Sequence, residues 1–568
     1  MARGSMWRMP TISGSKSSSC WMRISRPRAS SVTWLMCAWL GGLPMAEADV
    51  ARTTHNLSAA GPGPVKSSRG TEVCVFCHTP HNANPSRALW NQRLPGTTYR
   101  LYSSSTLKAT LNQPTGSSRL CLSCHDGTVA LGLLRVPPAA GAPGLSSLTG
   151  RGSLGTDLSD DHPVSFVYDA RLALARGELL PPASLPKSLP LDQTQQLQCT
   201  TCHDPHDNTL GQFLRMSNRT SAMCTVCHTI GPWASSSHAK STSAERGCAA
   251  CHQPHGAAHP TRLLAEAQES RVCLVCHNGR AASRNVEPEF LKLSAHPVYA
   301  SNWVHDPRED PRTMPRHVTC ADCHNPHQAS ATGSSAPSVS GPLRGASGVN
   351  LSGAPVREAR YEYEVCLKCH GLRDPATPGI IRQDNTRNVR LEIDPGNASY
   401  HPIAAVGRDP ALSGLQPGHT ASSLIRCSEC HDNDEASFGG RRTRGPHGSR
   451  FKPILAREYQ QGDPVLESPQ SAALCYTCHT RSAVVSGVRF PHEVHLRELG
   501  GASCAVCHDA HGSRRHKRLI NFMLRDQAGR IVVSPNRMGL LEFLPTGDGN
   551  GECSLSCHGK DHHHRTYR

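Results

Sequence analysis

Large apolar side chains are scarce in this 568-residue chain: Phe, Tyr and Trp make up 5% of it, while Gly and Pro number 48 and 43. Side-chain burial alone would struggle to offset the chain entropy of such a polypeptide, which argues against two to four ordinary self-packed domains. Transmembrane-length apolar runs are missing too. The stretch Val32 to Pro44 has only thirteen residues, too few to cross a bilayer, and nothing later approaches the required length. Strand signals are sparse, with Gly529 to Leu544 the one candidate hairpin. Apolar residues that run into cysteine pairs predict short helices at Thr261 to His277, Val356 to His370 and Ser468 to His479.

Cysteine is plentiful, and 24 of the 26 residues fall into twelve units with one pattern. Eleven units read C-x-x-C-H. The first six are Cys74, Cys77 and His78; Cys121, Cys124 and His125; Cys199, Cys202 and His203; Cys224, Cys227 and His228; Cys248, Cys251 and His252; and Cys273, Cys276 and His277. The next five are Cys320, Cys323 and His324; Cys366, Cys369 and His370; Cys427, Cys430 and His431; Cys475, Cys478 and His479; and Cys504, Cys507 and His508. The twelfth, Cys553, Cys557 and His558, has one extra residue between its cysteines. Zinc also uses paired cysteines, but it has no reason to demand histidine directly after the second one each time. Covalent haem attachment does: two thiols add to two vinyl groups, and the next histidine reaches the iron from below the ring. The expected cofactor is therefore haem c, about twelve per chain, with no catalytic residue assigned.

The expected fold class follows: mostly irregular coil with short α-helices and very little β, an elongated chain organised around closely packed haems. The first cysteines recur at two spacings, about 25 and about 48 residues, an internal repeat of haem-binding units. Residues 1–48 read as an export signal, with Met22 an alternative start, a basic stretch at Arg23, Arg26 and Arg28, and an A-x-A site at Ala46-Glu47-Ala48. Residues 49–327 then hold seven haems and 356–568 hold five, separated by a Ser/Gly/Ala/Pro-rich segment, 328–355, expected to be a flexible linker. The formal charge is +16. Loss of the first 48 residues, two propionates per haem and one positive ferric centre bring it to about −1, so a nucleic-acid partner is not expected.

Each iron needs a second axial ligand, and 21 histidines lie outside the motifs. Five follow a motif histidine by three residues: His81, His206, His255, His327 and His511. Three residues span roughly 10 Å, too little to round a macrocycle, so each must serve a different haem. A second set, His162, His296 and His401, precedes Pro, which favours an extended backbone that presents the ring from a loop. His55, His238, His447, His492 and His495 complete the candidates. His259, His305, His317, His419 and His516 are held in reserve, and His562 to His564 read as a solvated end.

The runs T-H-N-L-S-A-A-G-P-G, E-V-C-V-F-C-H-T-P-H-N-A, R-L-C-L-S-C-H-D-G-T-V-A-L-G and D-D-H-P-V-S-F resemble the doubled-C-x-x-C-H multihaem cytochromes of metal-reducing bacteria. The likeness is closest over residues 53–206, and F-P-H-E-V-H is similar to an element of small tetrahaem cytochromes. The resemblance implies bis-histidine ligation, with His55, His81 and His162 as distal ligands, and electron transfer to an acceptor such as metal oxides. It further implies a place in the periplasm, outer membrane or extracellular space. Implied partners are other redox proteins, an outer-membrane porin, or further copies in a filament. The other reading is a multihaem reductase with one five-coordinate haem, although no motif replaces its histidine by lysine.

Overall fold

In the computed structural model the described residues are 50–568, apart from 85–86, 242–246, 301, 373–378, 387, 411, 436–442, 487–489, 498–499, 548–549 and 568. The expected export signal lies outside them. Residues Val50–Arg568 form one compact unit, and within it the chain is mostly coil. Its longer helices, Gly116–His125 and Glu362–His370, both end on a motif histidine. Most strands are two-residue pairings between distant segments, such as Phe166–Val167 with Gln196–Leu197. Dense Gly and Pro interrupt any longer element.

Apolar burial is divided among small clusters. Phe76 packs with Leu131, Leu134 and Leu145, and Val349 packs with Tyr363, Leu367, Ile393 and Ile403. At about 1.5–3 kcal/mol for each fully buried side chain, each cluster secures only its own stretch of chain. The largest cluster joins Ala505, Val506, Phe522, Met523, Val533 and Leu555, with Cys553 and Cys557 packed against it.

Four expectations are corrected. Segment 328–355 is packed: Gly348–Val349 pairs with Pro355–Val356, Val349 and Leu351 join the cluster of Tyr363 and Leu367, and Val339 and Ala346 join a second one with Val365. Thr261 to His277 is helical only at Glu269–Leu274 with a single turn at Thr261–Leu263, and Ser468 to His479 only at Cys475–Thr477, because the turns serve the motifs alone. Gly529 to Leu544 is not one hairpin. Val533–Ser534 and Glu542–Gly547 each pair with Asn550–Cys557, which also pairs with Lys560–Tyr567. His562 to His564 therefore belong to a strand. Among the described residues no helix is long and apolar enough to cross a membrane.

Candidate haem sites

The C-x-x-C-H motifs sit on single turns, as at Cys199–Cys202, Cys320–Cys323, Cys427–Cys430 and Cys504–Cys507. Spacing of three on a helical turn brings both thiols to one side. The following histidine closes the turn, its amide donating to the first cysteine's carbonyl at 2.8 Å in His78 and 3.0 Å in His203, His324 and His508. Its ring is then fixed from the far end. Nδ1–H donates to a backbone carbonyl in His78 (Ala88), His125 (Gly152), His203 (Gln212), His252 (Arg262), His324 (Pro342), His431 (Pro453) and His508 (Arg518), at 2.5–3.0 Å. A carbonyl can only accept, so the proton is on Nδ1 and the Nε2 lone pair is free for a metal. Burial favours the same neutral form, holding His228, His431 and His479 down to about 4.

Each of these eleven motif histidines faces one other imidazole. The pairs are His78 with His206, His125 with His55, His203 with His255, His228 with His162, His252 with His327, and His277 with His238. They continue with His324 and His447, His370 and His296, His431 and His511, His479 and His401, and His508 and His492. Ring centres lie 6.0–6.4 Å apart in every pair. Two metal–nitrogen bonds of about 2.0 Å, plus about 1.2 Å from each nitrogen to its ring centre, give about 6.4 Å. The spacing therefore fits one iron between each two rings, and the cysteines fit the porphyrin that would carry it.

Non-motif histidines are themselves wired in twos. His55 Nδ1 donates to the carbonyl of Pro205, the residue before His206, at 3.2 Å. His238 does the same to Pro326 before His327 at 2.8 Å, His296 to Pro446 before His447 at 2.6 Å, and His401 to Ala510 before His511. At His162 the backbone amide donates to Pro254, before His255, at 2.8 Å. Two short strand pairings lock the last two junctions: Ser294–Ala295 with Gly448–Ser449, and Ser399–Tyr400 with Gly512–Ser513. Glycine is required there, because a Cβ on Gly448 would lie 1.8 Å from the Glu289 carbonyl oxygen and one on Gly512 2.0 Å from that of Glu392.

Motifs meet on the opposite side. The first cysteines of motifs two and three, four and five, six and seven, eight and nine, and ten and eleven lie within hydrogen-bond reach of each other. A polar residue three or four positions before the earlier motif clasps the later turn: Ser118 Oγ accepts from Cys199 N at 3.0 Å, Ser221 Oγ from Cys248 N at 2.5 Å, Glu269 from Ala321 N at 3.0 Å, and Glu362 from Ser428 N at 2.9 Å. The alternate junctions, one with two, three with four and so on to eleven with twelve, bring second cysteines close to the next motif's cysteines. Motif order in space thus follows motif order in sequence.

Residues 192–230 and 241–282 match the family described as the doubled CXXCH motif, and residues 426–509 match cytochrome c554 and c-prime. The chain belongs to the multihaem c-type cytochromes. No curated protein matches it. The cytochrome's C-x-x-C-H motifs accordingly bind haem c covalently, and its family function is electron transfer.

The twelfth motif departs from the other eleven. Cys553 and Cys557 lie on the strand Asn550–Cys557 rather than on a turn, and His558 has a left-handed backbone (φ 52°). Its Nε2 donates to Asp463 at 3.1–3.2 Å, so the ring of His558, expected to hold metal, rests on a carboxylate in this structure. The ring pair here is His495 with His562, at 6.4 Å. His562 stands opposite Leu555 in the antiparallel register and shares its face with Leu555 and Cys557. Sequence reasoning missed it because the hairpin that presents it leaves no pattern within the motif. His81, the other candidate outside the pairs, is exposed and has no ring partner among the described residues.

Two carboxylates were missed as well. Asp161 Oδ1 accepts from His255 Nδ1, and Glu392 Oε2 lies against His511 Nδ1, each at 3.0 Å. Burial pulls both rings down, but the bonded carboxylate outweighs it and holds each above its ordinary pKa. The D-D-H and L-E-I contexts carry no signal for this, since the partners are 94 and 119 residues away.

Proposed function

We propose that this cytochrome is a twelve-haem electron conduit in which each iron is held between two histidines and the haems lie in sequence order. The observation that carries this reading is the set of twelve imidazole pairs at 6.0–6.4 Å, one beside each motif. His55, His162, His206, His238, His255, His296, His327, His401, His447, His492 and His511 are the distal ligands of motifs one to eleven, and His495 with His562 hold the twelfth iron. When bound, haem c supplies a one-electron Fe(III)/Fe(II) couple at each site. The protein's part is to close both axial positions, keep Nδ1 protonated by a carbonyl or carboxylate, and hold neighbouring motifs by alternating clasps. A reductase needs one iron with an open face, and a complete set of pairs argues against it.

The first and last motifs lie within 30 residues of the bounds of the unit along the sequence, which suits entry of electrons at one end of the haem series and exit at the other. Transfer from a periplasmic redox protein, with or without a porin, to an extracellular acceptor such as a metal oxide is the physiological setting we infer, with the cytochrome exported. Low-temperature EPR of the ferric holoprotein, with spins counted against haem and protein, tests the core of this reading. Twelve low-spin centres are expected. A stoichiometric high-spin signal would overturn it in favour of the reductase.

A further inference from the structure

His305 and His317 are buried histidines with no part in the twelve ring pairs, and both face two carboxylates, Asp322 buried and Glu309 half-buried. We propose that His305, Glu309, His317 and Asp322 form a site for one divalent transition-metal ion of the zinc class, at the junction of the seventh and eighth motifs. One ligand atom from each residue falls within 4.8 Å of all the others. His305 Nδ1 lies 3.0 Å from Glu309 Oε1 and 2.9 Å from Asp322 Oδ1, and His317 Nε2 lies 3.5 Å from Glu309 Oε2 and 3.7 Å from Asp322 Oδ1. Tetrahedral bonds of about 2.0–2.1 Å set neighbouring ligand atoms about 3.4 Å apart, in the middle of that range.

The tautomer of His317 is the decisive detail. Its Nδ1–H donates to the Pro315 carbonyl at 2.8 Å, which leaves Nε2 as a bare lone pair. That nitrogen is buried without a hydrogen-bond partner, on a side chain 1% exposed, and it points at two carboxylates that are also acceptors. Acceptors so placed repel one another unless a cation lies between them, and 3.5–3.7 Å is too long for a proton to bridge well. Trp303, itself about half exposed, stacks on the His317 ring with centres 5.5 Å apart.

The carboxylates are held for this task. Asp322 spends Oδ2 on its own helix, accepting from Thr319 N at 2.6 Å and Thr319 Oγ1 at 3.0 Å, which leaves Oδ1 facing the cluster. His305 N donates to Glu269 at 2.7 Å, and Glu269 also clasps the seventh motif's turn. Two imidazoles with two carboxylates suit zinc-class ions, whereas calcium and magnesium prefer oxygen throughout. Asp322 sits between Cys320 and Cys323, and Lys368, between Cys366 and Cys369, has its ammonium 4.0 Å from Asp322 Oδ1 and donates to the Asp322 carbonyl. An ion here would pin the 303–317 strap to the seventh haem motif through Asp322 and add positive charge close to the eighth.

The test is elemental analysis of purified holoprotein loaded with Zn(II) and then dialysed against metal-free buffer, with X-ray absorption at the zinc edge. One zinc per chain is expected, in a nitrogen and oxygen shell without sulfur. The H317A and E309Q variants should lose it with haem content unchanged. Fewer than about 0.1 zinc per wild-type chain, a sulfur-containing shell, or zinc retained by both variants would overturn the proposal. The wild-type measurements decide it if a variant fails to fold.

Discussion

Asp161→Asn should raise the reduction potential of one haem, that of the third motif, and leave the others nearly still. Asp161 is 6% exposed in its side chain and accepts from both His255 Nδ1, at 3.0 Å, and Gly256 N, at 3.2 Å. Asparagine keeps an acceptor oxygen in place, so ring orientation survives and only the charge is lost. A hydrogen bond to a charged group contributes about 1.5–3 kcal/mol against about 1 kcal/mol for a neutral one, so about 1 kcal/mol disappears. The carboxylate makes the imidazole a stronger donor and favours the more positive ferric iron, so its loss favours reduction. With about 59 mV for each 1.4 kcal/mol in a one-electron couple, the shift is about 40 mV upward. Potentiometric titration followed by EPR resolves it, because the altered centre should also change its low-spin g values. A shift in the negative direction, or none in either the potential or the g values, would refute the reasoning.

The twelfth site separates its two histidines cleanly: His562→Ala should create one high-spin centre in EPR, whereas His558→Ala should leave all centres low-spin. Gly512→Ala drives a methyl into the Glu392 carbonyl, and overpacking of that kind costs about 1–3 kcal/mol; thermal unfolding should begin lower, with disturbed signals from the haems served by His401 and His511. Glu269→Ala leaves two backbone donors, Ala321 N and His305 N, without their acceptor, at about 1–3 kcal/mol each where buried, read as a lower denaturation midpoint. Glu467, hydrogen-bonded by Arg481 and Tyr476 beside the tenth motif, has its pKa depressed, chiefly by Arg481. Its contribution is full above the ordinary carboxylate pKa and is lost as pH falls through the depressed value, so Glu467→Gln should flatten the acid end of the stability profile.

Local chemistry was legible in the sequence, and long-range pairing was not. Reach alone required that a histidine three residues past a motif serve another haem, and the structure puts His206, His255, His327 and His511 against motifs one, three, five and nine. Which motif each would serve could not be read, because partners such as His296 and the Pro446 carbonyl are 150 residues apart. The packed state of 328–355 was hidden for a related reason: its composition is that of a loop, and its burial comes from Glu362–His370 lying over Gly348, where a Cβ would meet the Glu364 carbonyl oxygen at 2.6 Å. Compositional rules see small residues as flexible, but close approach of two backbones also selects them.

The repeat accounts for its own irregular ends. Where it is regular, the histidine three residues past a motif faces the motif two places earlier, and a second histidine, bonded to the residue just before it, faces the motif after that. His81, three residues past the first motif, departs from this pattern: it is exposed and faces no imidazole among the described residues. At the other end the eleventh motif would need a histidine from a thirteenth. The helix His492–Arg497 supplies a substitute: His492 and His495, one turn apart on a single face, point at His508 and His562. One helical turn thus does for motifs eleven and twelve what a proline carbonyl bonded to a distant histidine does for most earlier pairs. The last partner must then come from beyond the motif, and the strand hairpin brings His562 back over Leu555 to provide it.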